Sequence, residues 1–425
     1  CFCPAGSSWT PSGRVDDTVI AQRQDARRDA LAAMDGEQRA LVAWLEGNGS
    51  RRIGRYGFAN VVTAEVPAAL LDTLRGMPGV MGVSAAPRLR PQLTQSVAAL
   101  GATTFWSNGY TGVGESVGVL DSGVDAGHPG FSGVNLVNRV FLTYGKTDDD
   151  DGCFADNIGS GDDLQGHGTH VAGIVASQGS AGWTSYQGVA KGISSLYNLK
   201  VAFLTGGPCP AGAISDSRDV LEAIDYITGS TAVRVLNYSY GSNPQGASDD
   251  GFARELDRAA DLYGLTLTIA AGNEGPAANT IASPGYAYNG IAVGNWAVRG
   301  VMSTGSSRGP TTSGRYKPDV AAPGSSIYSA NNRWETASHY RGASGTSMAA
   351  PHIAGAAALL RGAGVTNTLA VKALLINTTD DAGWAADRGW GYTNLTRLWG
   401  QRYWAANALA ASQYRLYRTP ATTTL

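Results

Sequence analysis

Four side chains in this sequence are of types that together can break an acyl bond: Asp121, His167, Asn273 and Ser347. Asp121 closes the apolar run "SVGVLD", and His167 opens "HGTHVAGIVAS". Asn273 ends "LTLTIAAGN", and Ser347 stands in "GTSMAAPHIAGAAALL". Singly, each has an ordinary structural reading: a turn Asp before Gly, a capping or core His, a turn Asn, a helix-capping Ser. Together they supply an acid, an imidazole, an amide donor and a hydroxyl. A serine hydroxyl is a poor nucleophile until a base takes its proton. That base needs a carboxylate to hold its tautomer and stabilise the imidazolium. The tetrahedral oxyanion needs donors, which a helix N-terminal N–H and an amide side chain can provide. A metal reading of His167 and His170 is weaker, because three residues apart they lack a third ligand nearby in sequence. No metal ligand is assigned.

The elements that must position these groups fall into two blocks. Residues 1–18 read as a flexible tail, and residues 19–92 as a small α+β unit. Within it, Val19 to Leu45 carries a loose helical pattern interrupted near Asp35-Gly36, and "SRRIGRYGF" and "NVVTAEV" read as strands. "PAALLDTLRGMPG" reads as a helix with Pro67 at its start, and "VMGVSAAP" as another strand. The linker "RLRPQLTQS" follows. Residues 93–412 form the larger unit, and 413–425 are a tail or the start of a further domain. After Gly112, β-branched and Leu runs alternate with helical stretches, so the fold class is α/β with a buried, mainly parallel sheet and helices on both faces. In such sheets functional residues gather at the carboxyl ends of strands, where Asp121 and Asn273 stand.

Composition narrows the classes. With 43% hydrophobic and 16% charged residues, the 425-residue chain has material for an extensive core. A net charge of −2 gives no electrostatic footprint for nucleic acid. No apolar run reaches the roughly 18 residues of a spanning helix. The chain begins at Cys1, compatible with an export signal already removed. Cys153 and Cys209 lie in Gly/Pro/Asp-rich loops, where a bridge is feasible in an oxidising compartment; the pairing of Cys1 and Cys3 is unreadable.

The order Asp, His, Ser is that of subtilisin, and the local segments agree. "VLDSGVDAGHPGF", "GHGTHVAG", "AAGNEGP", "SSRGP…KPDVAAPG" and "GTSMAAPHIAGAAALL" resemble the successive signatures of subtilisin-like serine proteases, from about Gly112 to Asn394. The resemblance implies a subtilisin-like three-layer fold, Asp121 as orienting acid, His167 as base, Ser347 as nucleophile and Asn273 as oxyanion donor. It makes His352 structural rather than a second base. It implies substrate-binding edges at Ser239, Tyr240 and Gly241 and at Ala271 and Gly272, with a pocket floor near Ala282. Without an acid at that floor, dibasic specificity is not expected, and Glu274 need not face the pocket.

"YGFANVVTAEVPAALLDTLRGMPGVMGVSAAP" is similar to the inhibitor-type, ferredoxin-like propeptide of these proteases. That implies a secreted endopeptidase made as a self-inhibited precursor. "RLRPQLTQS" would lie in the cleft and be cut between Arg88 and Ala99. Protein or peptide substrates and its own propeptide are the expected partners, with no nucleic acid and no transmembrane segment. Catalysis needs no cofactor; the acidic run "KTDDDDGCFAD", residues 146–156, is either a structural calcium loop or a solvated one. Two other functions compete. An esterase or lipase lacks support, since there is no GxSxG elbow. A peptide-binding pseudoprotease would require loss of a triad member.

Overall fold

The computed structural model describes residues 35–36, 38–56, 61–83, 92–143, 155–156, 159–206, 212–242, 251–298, 300–381 and 383–401. All four cysteines, the tail at 1–18 and residues 413–425 lie outside these described residues. The chain divides into two units between Arg90 and Pro91.

In the first unit, residues 38–47 are helical (α1), with Gln38 and Leu45 buried. Asp35 and Gly36 are helical too, so the expected interruption there is absent. An Asp35–Arg39 pair at i,i+4 supports that turn. Strands β1 (Arg51–Tyr56) and β2 (Val61–Glu65) pair antiparallel. The predicted helix after Pro67 is split into a 3-10 turn, Ala68–Leu70, and the short α2 (Leu71–Arg75), with Gly76 at its C-cap. Val80 to Val83, expected to begin a strand, form none. The left-handed Gly79 (φ 85°) turns the chain just before them, and neither described strand pairs with them.

The second unit opens with α3 (Gln92–Leu100) and α4 (Ala102–Ser107). The following alternation builds the sheet: β3 (Ser116–Asp121), β4 (Leu136–Val140), β5 (Ser195–Lys200), β8 (Val235–Tyr238), β9 (Thr266–Ala270), β10 (Ile291–Val298), β11 (Val301–Met302) and β12 (Val320–Pro323). Strand order is β11-β10-β9-β8-β3-β5-β4, with β12 also on β10; every pairing is parallel except β10 with β11. The run "LYNLKVAF" breaks at Val201: β6 (Ala202–Thr205) leaves the sheet and pairs with β7 (Gly212–Ser215). Strands β13 (Ile327–Ala330) and β14 (Tyr340–Ala343) form another hairpin.

Helices cover both faces. Val117 and Val119 of β3 pack with Val171 and Ile174 of α5 (His167–Ala176) and with Met348 and Ile353 of α8 (Thr346–Gly362). Leu120, Leu236 and Ile269 pack with Val220 and Ile227 of α6 (Ser217–Ser230) and Leu256 of α7 (Gly251–Tyr263). The period-2 alternation of the buried strands thus sends successive side chains to two separate cores. Helices α9 (Thr368–Asn377) and α10 (Leu395–Gln401) complete the described residues.

Candidate active site

The carboxyl ends of three strands and the starts of two helices meet at one edge of the sheet. Asp121 is the last residue of β3 and fully buried; His167 is the first residue of α5. The His167 Nδ1–H donates to Asp121 Oδ1 at 2.8 Å. Because a carboxylate only accepts, this bond assigns the proton to Nδ1 and leaves Nε2 a lone pair. Burial pulls the His167 imidazolium down, but the charge and hydrogen bond of Asp121, with Asp163 behind it, outweigh that and raise it above its ordinary value. The Tyr240 ring stands edge-on to the imidazole, 5.2 Å between centroids.

Ser347 lies in the first turn of α8, where backbone N–H groups have no intrahelical acceptor. Its Oγ–H donates to the Ser239 carbonyl at 3.0 Å, and no hydrogen bond joins it to His167 among the described residues. Such contacts are often long without substrate and close with it. Pro351, five residues into α8, explains a second link. Lacking an N–H, it cannot bond the carbonyl four residues back, that of Ser347. The Ser239 hydroxyl takes that carbonyl instead at 3.1 Å, and is itself held by Asn237 Nδ2 at 2.8 Å.

Asn273 follows β9, and its Oδ1 accepts from the Thr346 N–H (2.9 Å) and Thr346 Oγ–H (3.1 Å). With the oxygen so engaged, the Nδ2 donors have no partner among the described residues, in the cleft that Ser347 also lines. A cleft of about 100 Å³ is lined by Ser239, Tyr240, Gly241, Gly272, Asn273 and Ser347, and also by Ala282 at one end. Gly272 needs to be glycine: its φ is +108°, and a Cβ would sit 2.7 Å from Ser307 Oγ.

Of the sequence-predicted lining residues, only Ala271 is turned away. Its N–H donates to Val293 O and its carbonyl accepts from Ala282 N, so it belongs to the sheet, and Ala270 lines the cleft in its place. Glu274, expected to be able to stay clear of the pocket, lines it from an exposed position at the mouth. A larger cavity of about 550 Å³ adjoins this cleft through Tyr240, Gly241 and Ser242, with Ile214, Tyr238 and Phe252 as its apolar walls.

His352 is fully buried in α8, its Nδ1–H on Met348 O at 2.8 Å and its Nε2 accepting from Ser96 Oγ at 2.8 Å. Asp156, the last acid of the acidic run, is taken by Lys200 Nζ (2.7 Å) and the Leu204 N–H (2.9 Å). Among the described residues, no group of three or more His, Cys, Asp or Glu could hold a metal ion; residues 146–154 lie outside them.

The family model of the subtilases matches residues 112–392, well over half of the chain. The chain belongs to the subtilase family. Its enzyme class follows: a subtilisin-like serine peptidase, with the three-layer α/β fold of that family. It is 32% identical to the serine protease AprX of Bacillus subtilis, over 78% of this chain and 76% of that protein. The major intracellular serine protease of the same organism is 32% identical over 64% of this chain and 75% of its own length. A solved cold-adapted subtilisin-like serine proteinase superposes with a TM-score of 0.51 at 26% identity, covering 67% of this chain and 89% of that one.

Three features of this subtilase's site escaped the sequence reading. Thr346 was hidden beside Ser347, although a second hydroxyl adjacent to Ser347 is the signal that would have drawn attention to it. The partnership of Ser239 with the Ser347 carbonyl is implied by Pro351, five residues into the helix. The third, Asp163, stands four residues before His167.

Proposed function

We propose that this subtilase is a secreted serine endopeptidase that hydrolyses peptide bonds through Asp121, His167 and Ser347. The observation that carries the reading is the 2.8 Å His167–Asp121 bond beside a cleft that Ser347 and Asn273 both line. In this mechanism Nε2 of His167 takes the Ser347 proton as Oγ attacks the carbonyl, and later gives it to the leaving amine. Asp121 stabilises the imidazolium formed in between. The Ser347 N–H and Asn273 Nδ2 receive the oxyanion.

The main-chain N–H and C=O of Gly241 have no partner among the described residues, which suits an extended substrate adding as a strand. Ala282 leaves the pocket end short of any charge, so an uncharged residue of medium to large size is expected before the scissile bond. Glu274 at the mouth gives long basic residues a secondary foothold. A peptide library with Arg or Lys dominating that position would overturn the order of preference.

Labelling by a fluorophosphonate tests the assignment. Wild type should label at Ser347 and Ser347→Ala should not; equal labelling would sink both the triad and the peptidase mechanism built on it, leaving a peptide-binding role.

Residues 19–92 act, in this reading, as an inhibitor propeptide that is cut off by the enzyme itself. The separately expressed segment, added to mature enzyme, should inhibit hydrolysis, and no effect at high micromolar concentration would end that reading. Export is the expected fate, and recovery of the processed enzyme only from the cytosol would refute it.

A further inference from the structure

Asp163 is a second carboxylate at the centre, outside the groups proposed above to do the chemistry. It is 3% exposed, and every contact it makes is with a donor. Its Oδ1 accepts from Ser122 Oγ–H (2.9 Å), the Gly166 N–H (2.7 Å) and the Gln165 N–H (3.2 Å). Its Oδ2 accepts from the Thr169 N–H (2.8 Å) and Thr169 Oγ–H (2.7 Å). Three of these five donors, the N–H groups of Gln165, Gly166 and Thr169, can only donate and engage both oxygens, and the Ser122 and Thr169 hydroxyls that could accept a carboxyl hydrogen donate here instead. Burial raises the carboxyl above its usual range, while the bonds from Gly166 and Thr169 offset part of that. The ionised form is the one the shell is built for.

The donors belong to the two segments that must be held in register. Ser122 follows Asp121 directly, and its N–H donates to Asp121 Oδ1 at 2.8 Å. Its hydroxyl, while donating to Asp163, accepts the Gly168 N–H at 3.0 Å. Gly166, Gly168 and Thr169 surround the start of α5, which carries His167. That helix has Gly166 at its N-cap with φ +98°, so the cap residue itself offers no side-chain acceptor; the His167 N–H goes to Gln165 Oε1 at 2.7 Å, and the N–H groups that follow it remain to be satisfied. A Cβ at Gly166 would stand 2.4 Å from Asn332 Oδ1, so a side-chain cap cannot simply be added there. The orphan N–H groups need another acceptor, and a negative charge at this end also complements the helix dipole.

We propose that Asp163 is a positioning residue for hydrolysis. It sets the separation of Asp121 and His167 by tying Ser122 to the first turn of α5, and its charge helps to hold the imidazolium formed during the reaction. The proposal rests on the Asp121–His167–Ser347 reading. It adds that the geometry of this pair depends on a carboxylate that touches neither substrate nor imidazole. Five charged or titratable groups face His167: Asp121 and Asp163, Arg341 on β14, His170 one turn along α5, and Tyr240, whose phenol is kept neutral by burial. Arg341, whose Nη2 donates to the Gly166 carbonyl at 2.7 Å, opposes the two acids.

Asp163→Asn keeps the volume, removes the charge and puts an amide donor where only acceptors fit. Misplacement of a reacting group by about 1 Å can cost about 10²-fold in rate. Steady-state peptide hydrolysis over a pH series should therefore show kcat lowered by about 10- to 100-fold with KM within about two-fold. Loss of a negative charge beside the imidazolium should move the acidic limb to lower pH. A kcat equal to wild type, or a reduced kcat with an unmoved acidic limb, would overturn the proposal; the second outcome would mark Asp163 as a structural cap only. Should Asp163→Asn fail to fold, Ser122→Ala decides. It keeps the Asp163 charge and removes the hydroxyl through which the Asp121 loop reaches both Asp163 and the Gly168 N–H, and should lose about ten-fold in kcat without moving the limb. Wild-type kcat in Ser122→Ala would refute the coupling. Ser347→Ala separates the two readings. Hydrolysis persisting in it removes the triad, whereas an inert Ser347→Ala beside a fully active Asp163→Asn removes the Asp163 role alone.

Discussion

Lowering the pH from 7 to 5 should destabilise the fold, and His352 should account for a measurable share. Two buried histidines, His170 and His352, have 0% exposure and are held neutral. Burial and the nearby Arg341 charge push His170 down to about 3, and burial pushes His352 down to about 4. Between these values and about 6.5, the unfolded chain binds protons that the folded chain refuses, so stability falls as pH falls. From pH 7 to pH 5 each site should remove about 2 kcal/mol, or about 4 kcal/mol for the pair. His167, raised in the fold, has the opposite sign: it contributes stability below about 6.5 that is lost as pH rises through its folded value. Its share is common to both proteins in the comparison that follows. The assay is equilibrium urea unfolding at both pH values in a Ser347→Ala background, which stops self-digestion, with and without His352→Leu. The substitution has its own cost, since it leaves the Ser96 hydroxyl without the imidazole. That cost is present at both pH values and cancels in the difference. The pH-dependent loss should shrink by about 2 kcal/mol in the double variant. An unchanged loss would show that His352 titrates normally, and would refute its assignment as a neutral helix anchor.

Asn273→Ala should lower kcat by about 10²–10³ with KM little changed, the loss known for a subtilisin's own donor asparagine. A loss wholly in KM would contradict the oxyanion role. The acidic limb of kcat/KM should have its midpoint above 6.5, because His167 must be neutral to act and Asp121 raises it; activity flat down to pH 4 would exclude an imidazole base. The mature N-terminus, read by intact mass, should fall at or before Gln92, narrowing the window of Arg88 to Ala99. Gln92 to Leu100 is helical, with Ser96 and Val97 buried, so it cannot lie extended in a cleft while α3 is formed. A mature chain starting beyond Gln92 would refute this.

The same residues show why the sheet was legible in the sequence and the first unit less so. Parallel strands buried on both faces must be apolar along their whole length, and "SVGVL" or "TLTIA" can satisfy no other environment as well. The break at Val201 was not legible, because β6 is as apolar as β5; what separates them is the pairing of Phe203 with Ile214 across a hairpin. In the first unit the local signals are short and compete. "VMGV" has the composition of a strand, but a strand needs a partner, and the two described strands, β1 and β2, pair with each other. The linker "RLRPQLTQS" was expected, from the propeptide resemblance, to lie in the cleft as a substrate does. Beyond Pro91 its residues enter α3, where the apolar positions Val97 and Leu100 and the Ser96–His352 bond decide the conformation.

For the site, legibility followed chemical type. Acid, imidazole, amide and hydroxyl could be picked out because the reaction needs each kind, and their order along the chain matched one known solution. What could not be read was how the pairs are held apart at the right distance, since that depends on contacts between segments remote in sequence. Asp163 looked like one more loop acid in "SGDDLQGHG". Only when Ser122 and the first turn of α5 are both seen to converge on it does its neighbour Asp162 become distinguishable: Asp162 gives its carbonyl to Lys200 and its side chain to the Asp163 N–H. Two adjacent aspartates thus serve the same loop in different ways. One secures the backbone of the segment, and the other joins the helix of His167 to the loop of Asp121, so Asp162→Asn should leave the acidic limb of activity unmoved, whereas Asp163→Asn should shift it.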